Sequence, residues 1–233
     1  INPNNPTGAV YPRSVLKQIV DVAREHGLVV FSDEIYEKIT YDGAEAINMA
    51  TLPGVDVLCL TFSGLSKAYR VCGYRAGWVA ITGPKKDAAS YLEGIHLLAS
   101  MRLCSNVPAQ HAIQTALGGY QSINELIVPG GRLYEQRTLA HKMLNEIDGI
   151  SCTSADGALY LFPKIDVERF DITDDEQFAL DLLKSQKILF SHGRAFNWKD
   201  PDHFRLVFLP DTQTLTSALE RLGNFMADYK QKH

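Results

Sequence analysis

Four short stretches carry side chains whose types and spacing could do chemistry. In "TFSGLSKAYRVCGYRAGW" an apolar run ends in Ser63-Gly64-Leu65-Ser66-Lys67, and Arg75 follows eight residues after the lysine. Small hydroxyl side chains and a backbone-permissive glycine thus surround one lysine at a strand's carboxyl edge, where open α/β sheets bind ligands. An arginine offers a planar fork suited to a phosphate dianion. "LVVFSDEIY" puts Asp33 at the end of a second apolar run, with Glu34 beside it and Tyr36 three residues on. An unpaired acid there is costly to bury. "INPNNPTGAVYP" holds Asn5 in a proline-rich loop, and "HFRLVFLP" embeds Arg205 in an otherwise apolar strand, where a charge needs a partner. Each has an ordinary alternative: a solvated Lys67, an Asx turn at Asn5, a helix cap or surface ion pair at Asp33, an internal ion pair at Arg205.

The elements that must position these residues read as α/β. Pro3 and Pro6 exclude a helix or central strand, so the opening stretch is expected to be a strand end turning into a rigid loop. From Pro12 to His26, Val15, Leu16, Ile19, Val22 and Ala23 recur at helical spacing, with Gly27 as the C-terminal stop. "LVVFSDE", "VLCLTFS" at 57–63 and "GWVAIT" read as strands, and fully apolar strands alternating with helices argue for a parallel sheet covered on both faces. Ligands bind at the carboxyl ends of such strands, where Lys67 and Asp33 fall. Helices are expected over 84–103, 107–118 and 122–148. After Gly149 come "ALYLFPKID", a helix near 175–186, "KILF", "HFRLVFLP" and a closing helix over 212–230, the pattern of a small α+β domain. The domains are placed at 1–128 and 129–233.

Composition narrows the class. The 233 residues include 45% hydrophobic and 21% charged, with a net charge of −4, so charge gives no reason to expect nucleic acid or an anionic membrane as partner. No apolar run reaches the ~20 residues that span a bilayer. Cys59, Cys72, Cys104 and Cys152 form no zinc-type cluster; three are expected in apolar or helical surroundings as small hydrophobes, and a reducing cytoplasm is the expected compartment. No metal site is expected. The chain starts with Ile1, not Met, and is expected to be processed or part of a longer protein.

"NNPTG", "SDEIY" and "SGLSK" with Arg75, in this order and spacing, resemble the fold-type I pyridoxal-phosphate enzymes, specifically the class I/II aminotransferases, and most the bacterial alanine aminotransferase branch. The resemblance runs the whole length. It implies the C-terminal part of a large, mainly parallel-sheet cofactor domain followed by the small domain. It implies pyridoxal 5′-phosphate as cofactor, and transfer of an amino group from an amino acid such as alanine or glutamate to 2-oxoglutarate or pyruvate. Lys67 would form the Schiff base and move the proton. Asn5 and Tyr36 would bond the phenolic oxygen, and Asp33 the pyridine nitrogen. Ser63, Ser66 and Arg75 would hold the phosphate, and Arg205 would clamp the substrate α-carboxylate. One departure is Gly64, where many relatives have serine. The full-length enzyme is expected to be a homodimer. Its phosphate loop, ring-stacking aromatic, N-terminal arm and a tyrosine given across the dimer would lie outside this stretch, so the 233 residues alone are expected to be poorly stable and weakly active or inert. A lyase on the same fold, or a non-catalytic sensor module, would retain the same residues.

Overall fold

The computed structural model describes residues 1–52 and 56–232, the side chain of Asp87 excepted. They form two compact units, Ile1–Pro3 with Val10–Asn124 and Asn4–Ala9 with Glu125–His233.

In the first unit, α1 (Arg13–Glu25) starts after Pro12, whose missing N–H is no loss at a helix start. Leu16, Val20 and Ala23 share one face and are buried. Ile19 and Val22, expected on that stripe, stand 38% and 50% exposed. Gly27 takes φ +61° as the stop signal requires, and Leu28 N donates to Ala23 O at 2.8 Å to close the last turn. The α1 face packs with Met49, Leu52, Val57 and Cys59 into one core.

β1 (Val30–Asp33) pairs in parallel with β2 (Cys59–Gly64), and β3 (Gly77–Thr82) pairs antiparallel with β2. Apolar runs predict strands, not directions. The β2–β3 connection holds only the short 3-10 turn Cys72–Tyr74, and a parallel return would need a crossover helix. The register sets Val30 and Cys59 on the face against α1 and leaves Phe31, Phe62 and Val79 on the other, 57%, 36% and 41% exposed. α2 (Ala89–Arg102) buries none of its residues, and α3 (Val107–Gly118) buries only Ala109. The expected strand end at Ile1–Pro3 does not form: Asn2 N donates to Asp33 O at 3.0 Å, but Pro3 has no N–H to extend a ladder.

In the second unit the expected helix over 122–148 is broken. A 3-10 turn at Ser122–Glu125 ends the first unit, and α4 (Arg132–Asn145) begins only after Pro129-Gly130-Gly131, with Gly130 at φ +84°. β4 (Ile150–Ser151) pairs antiparallel with β6 (Lys164–Ile165). β5 (Tyr160–Leu161), β8 (Phe204–Val207) and β7 (Ser191–His192) form an antiparallel sheet in the order β5-β8-β7. The short α5 (Val167–Phe170) precedes α6 (Asp175–Gln186), which Asp174 caps through Glu176 N and Gln177 N. Lys187 at φ +56° ends that helix, so the strand expected at "KILF" starts later, at Ser191. α7 (Thr212–Asp228) closes the chain, and Phe178, Phe204, Leu161 and Leu182 form a fully buried core.

No helix among the described residues is long and apolar enough to cross a membrane. All four cysteines are free, and only Cys59 is buried; Cys72 lies in the exposed 3-10 turn and Cys104 just past the end of α2, against the expectation of burial for three.

Candidate active site

Lys67 sits where β2 ends. At Gly64 the two strands come so close that a Cβ would lie 2.9 Å from Ala76 O and 3.0 Å from Gly77 Cα, which accounts for the glycine in the place of serine. Leu65 and Ala68 are buried and anchor the turn that carries Ser66 and Lys67. Lys67 is half-buried, its Nζ 5.8 Å from the centroid of the Tyr36 ring, and among the described residues no carboxylate lies within ion-pair distance of it. Tyr36 is 2% exposed and follows β1, which brings the two strand ends side by side.

Asp33 closes β1 with its carboxylate exposed; Oδ1 accepts from Ile35 N at 3.1 Å, and no cation pairs with it among the described residues. Glu34 is the buried acid of the motif. Its Oε1 accepts from Ser32 Oγ and Met49 N, both at 2.8 Å, while Oε2 has no partner among the described residues. Burial pushes its carboxyl up, and the two hydrogen bonds offset this only in part. Ser63 and Ser66 are half-buried, and Arg75 is exposed at φ +51°, with Nη1 donating to Cys72 O at 2.7 Å. None of these three hydrogen-bonds another among the described residues.

Asn5 and Arg205 belong to the second unit and meet directly, Arg205 Nη1 donating to Asn5 Oδ1 at 2.8 Å. Asn4 builds the loop that makes this possible. Its Oδ1 accepts from Thr7 N at 3.2 Å and Thr7 Oγ1 at 2.7 Å, and Gly8 N donates to Asn4 O at 3.0 Å. The Asx turn therefore belongs to Asn4, and the Asn5 side chain serves Arg205. The Asn5–Pro6 bond is cis, as is Asn2–Pro3. Gly8 at φ +73° docks the loop: its carbonyl accepts from Asp156 N and Gly157 N, and a Cβ would lie 2.5 Å from Ala155 Cβ.

The Arg205 guanidinium lies between the Tyr160 ring at 4.6 Å and the Phe196 ring at 4.7 Å. Nη2 reaches Ser191 Oγ at 3.4 Å, Nε has no partner, and no carboxylate pairs with it among the described residues. Sequence reading missed Tyr160, Ser191 and Phe196. The register Tyr160↔Val207 and Ser191↔Arg205 brings the first two alongside Arg205, and no local pattern announces a register.

The chain matches the family "Aminotransferase class I and II" over residues 1–222. It is 63% identical over 231 residues to the alanine aminotransferase of Mycobacterium tuberculosis, covering 99% of this chain and 54% of that protein. It is 57% identical to the glutamate-pyruvate aminotransferase AlaA of Escherichia coli, covering 99% of this chain and 57% of the other. A crystal structure of an aminotransferase from Escherichia coli superposes with a TM-score of 0.97 at 57% identity, and an alanine aminotransferase from Pyrococcus furiosus with 0.90 at 41%. Those structures are covered to 57% and 56%, against 99% and 97% of this chain. The chain thus spans about half the length of the relatives it matches. On this similarity, and with the motif residues at the strand ends and loops just described, the chain belongs to the class I and II aminotransferases.

Proposed function

We propose that the protein carrying these residues moves an amino group between alanine or glutamate and 2-oxoglutarate or pyruvate. The observation that carries this reading is Lys67: a half-buried amine over the Tyr36 ring, at a strand's carboxyl end, with no carboxylate pairing with it among the described residues. An amine at that place, not held by a carboxylate, is free to reach a carbonyl as nucleophile and then to serve as base. The names of the relatives point to the same pair of amino acids.

The family's cofactor, pyridoxal phosphate, supplies an electron sink for the substrate carbanion when bound. The donor sets fit it. In the first unit, the Asp33 carboxylate would keep a pyridine nitrogen protonated, Tyr36 would donate to a phenolic oxygen, and Ser63, Ser66 and Arg75 would hold a phosphate. Lys67 Nζ would take the proton from the substrate α-carbon. In the second unit, Asn5 has its Oδ1 engaged by Arg205, so the group it would offer a phenolic oxygen is its amide N–H. Arg205 would grip the substrate α-carboxylate with its two-pronged end, a contact that fixes the amino acid for proton removal. We assign residues 1–128 to the large domain and 129–233 to the small one, and expect a cytoplasmic homodimer.

The test is to add pyridoxal phosphate, fix it with borohydride and map the labelled peptide, then assay the complete protein with alanine and 2-oxoglutarate. Label on Lys67, with pyruvate and glutamate formed and no ammonia released, is the expected result. Ammonia and a keto acid formed without any acceptor from an amino acid that carries a β leaving group, such as serine, would indicate a lyase. Label scattered over surface lysines, with no turnover, would reject both.

A further inference from the structure

We propose that Asp175 positions Arg205, acting through Arg194 and the 3-10 turn Gly193–Phe196, and so sets the grip of the second unit on a substrate carboxylate. The carboxylate part rests on the reading of Arg205 given above; the coupling itself rests on geometry alone.

Asp175 is the first residue of α6, and its side chain is 1% exposed. Its Oδ1 accepts from Arg194 Nε at 2.5 Å and its Oδ2 from Arg194 N at 2.8 Å, so one carboxylate grips both the side chain and the backbone of the same residue. Arg194 Nη2 also donates to Asp174 Oδ1 at 2.6 Å. Burial pushes the Asp175 carboxyl up, and the Arg194 hydrogen bonds and charge, with a smaller contribution from His192, outweigh it and leave it below the usual carboxylate range. A buried acid met this way fixes the segment that meets it.

That segment has little slack. Gly193 N donates to His203 O at 2.7 Å, and a Cβ at Gly193 would lie 2.7 Å from the same oxygen. Asn197 N donates to Arg194 O at 3.0 Å. The turn begins just past Ser191, which bonds Arg205 Nη2, and ends at Phe196, whose ring covers one face of the guanidinium. With no carboxylate of its own among the described residues, Arg205 is held by those contacts, Tyr160 and Asn5. One of its four supports, Phe196, therefore stands on the turn that Asp175 fixes, and a second, Ser191, lies two residues before that turn.

The test is NMR of the arginine Nε–H groups in the complete protein that carries these residues, the Arg205 resonance being assigned by its loss in R205K. In the wild type, two flanking rings shift it upfield of free arginine. In D175N it is expected to move towards the free value while Arg132 and Arg169 stay in place, a pattern that general loosening would not give. Titration with propionate should show about tenfold weaker binding in D175N, the cost of a clamp that is no longer preorganised. If D175N does not fold, R194Q removes the side-chain part of the same link from its exposed side, and the same readout is expected to move in the same direction. An unmoved Arg205 resonance in a folded D175N or R194Q overturns the proposal. A wild-type Arg205 that ignores propionate rejects the clamp reading, and the propionate-free spectra still judge the coupling.

Discussion

Arg205 and Glu34 are both charged groups in apolar company, and they are met in opposite ways. Arg205 is given a neutral acceptor, Asn5 Oδ1 at 2.8 Å, and two aromatic faces. Its charge stays available. Asn5→Asp would replace that acceptor with a carboxylate and form an internal ion pair, so propionate affinity is expected to fall by at least about tenfold while the unfolding midpoint holds or rises. A titration followed at the Arg205 Nε–H checks this, and unchanged affinity rejects it. Glu34 instead is buried with one oxygen bonded and the other unpartnered among the described residues. Its folded-state pKa lies above the ordinary value of about 4.3, so the native state holds the proton longer than the unfolded chain does. The stability this contributes is full below about pH 4.3 and is lost as pH climbs through the raised folded value. Glu34→Gln stays neutral throughout and should flatten the fall in unfolding free energy from about pH 4.3 upward, measured by urea titration across pH. A slope equal to wild type would show that Glu34 ionises freely.

The opening loop shows how an element is built from single residues. Gly8 combines φ +73° with a Cβ position 2.5 Å from Ala155 Cβ and 2.8 Å from Tyr160 O. Gly8→Ala is expected to destabilise by about 1–3 kcal/mol, read as a lower urea midpoint at unchanged slope. A neutral substitution would mean that the loop is not docked on residues 155–160. This element was half legible beforehand: Pro3, Pro6 and Gly8 mark a rigid turn, but that Asn4 makes the turn and Asn5 faces Arg205 depends on packing 200 residues away in the chain. The same division holds elsewhere. Lys67 and Asp33 could be placed at strand ends because an apolar run and its boundary are local signals. α1, α6 and α7 follow from period and caps. The break at Pro129-Gly130-Gly131 was written in the residues but overridden by the apolar period on either side. The direction of β3 and the ring pair around Arg205 are set by register, which one strand's sequence does not contain.

At the scale of the whole molecule, exposure decides what the chain meets. Cys72 and Cys104 are exposed, Cys59 is buried, and burial pushes the Cys152 thiol up to about 12. Ellman's reagent at pH 8 should therefore modify Cys72 and Cys104 promptly and spare the others until urea is added, because it reaches exposed sulfurs while burial keeps Cys59 and Cys152 protonated. Apolar exposure is larger in scale. Phe31 and Phe62 stack at 5.9 Å on a sheet face with Val79, and Leu97, Leu98 and Met101 of α2 are 58%, 67% and 79% exposed. Patches of this kind on soluble chains mark surfaces that meet another polypeptide. The 233-residue chain is accordingly expected to bind an anilinonaphthalene dye under native conditions and to sediment faster as its concentration rises. Phe31→Lys places a charge in the middle of the sheet face and should weaken both effects. Because Phe31 is already 57% exposed, the same change should alter the unfolding free energy by no more than about 0.5 kcal/mol. Dye binding that survives the substitution together with a lowered urea midpoint would place the dye in a loosened core instead of on this face.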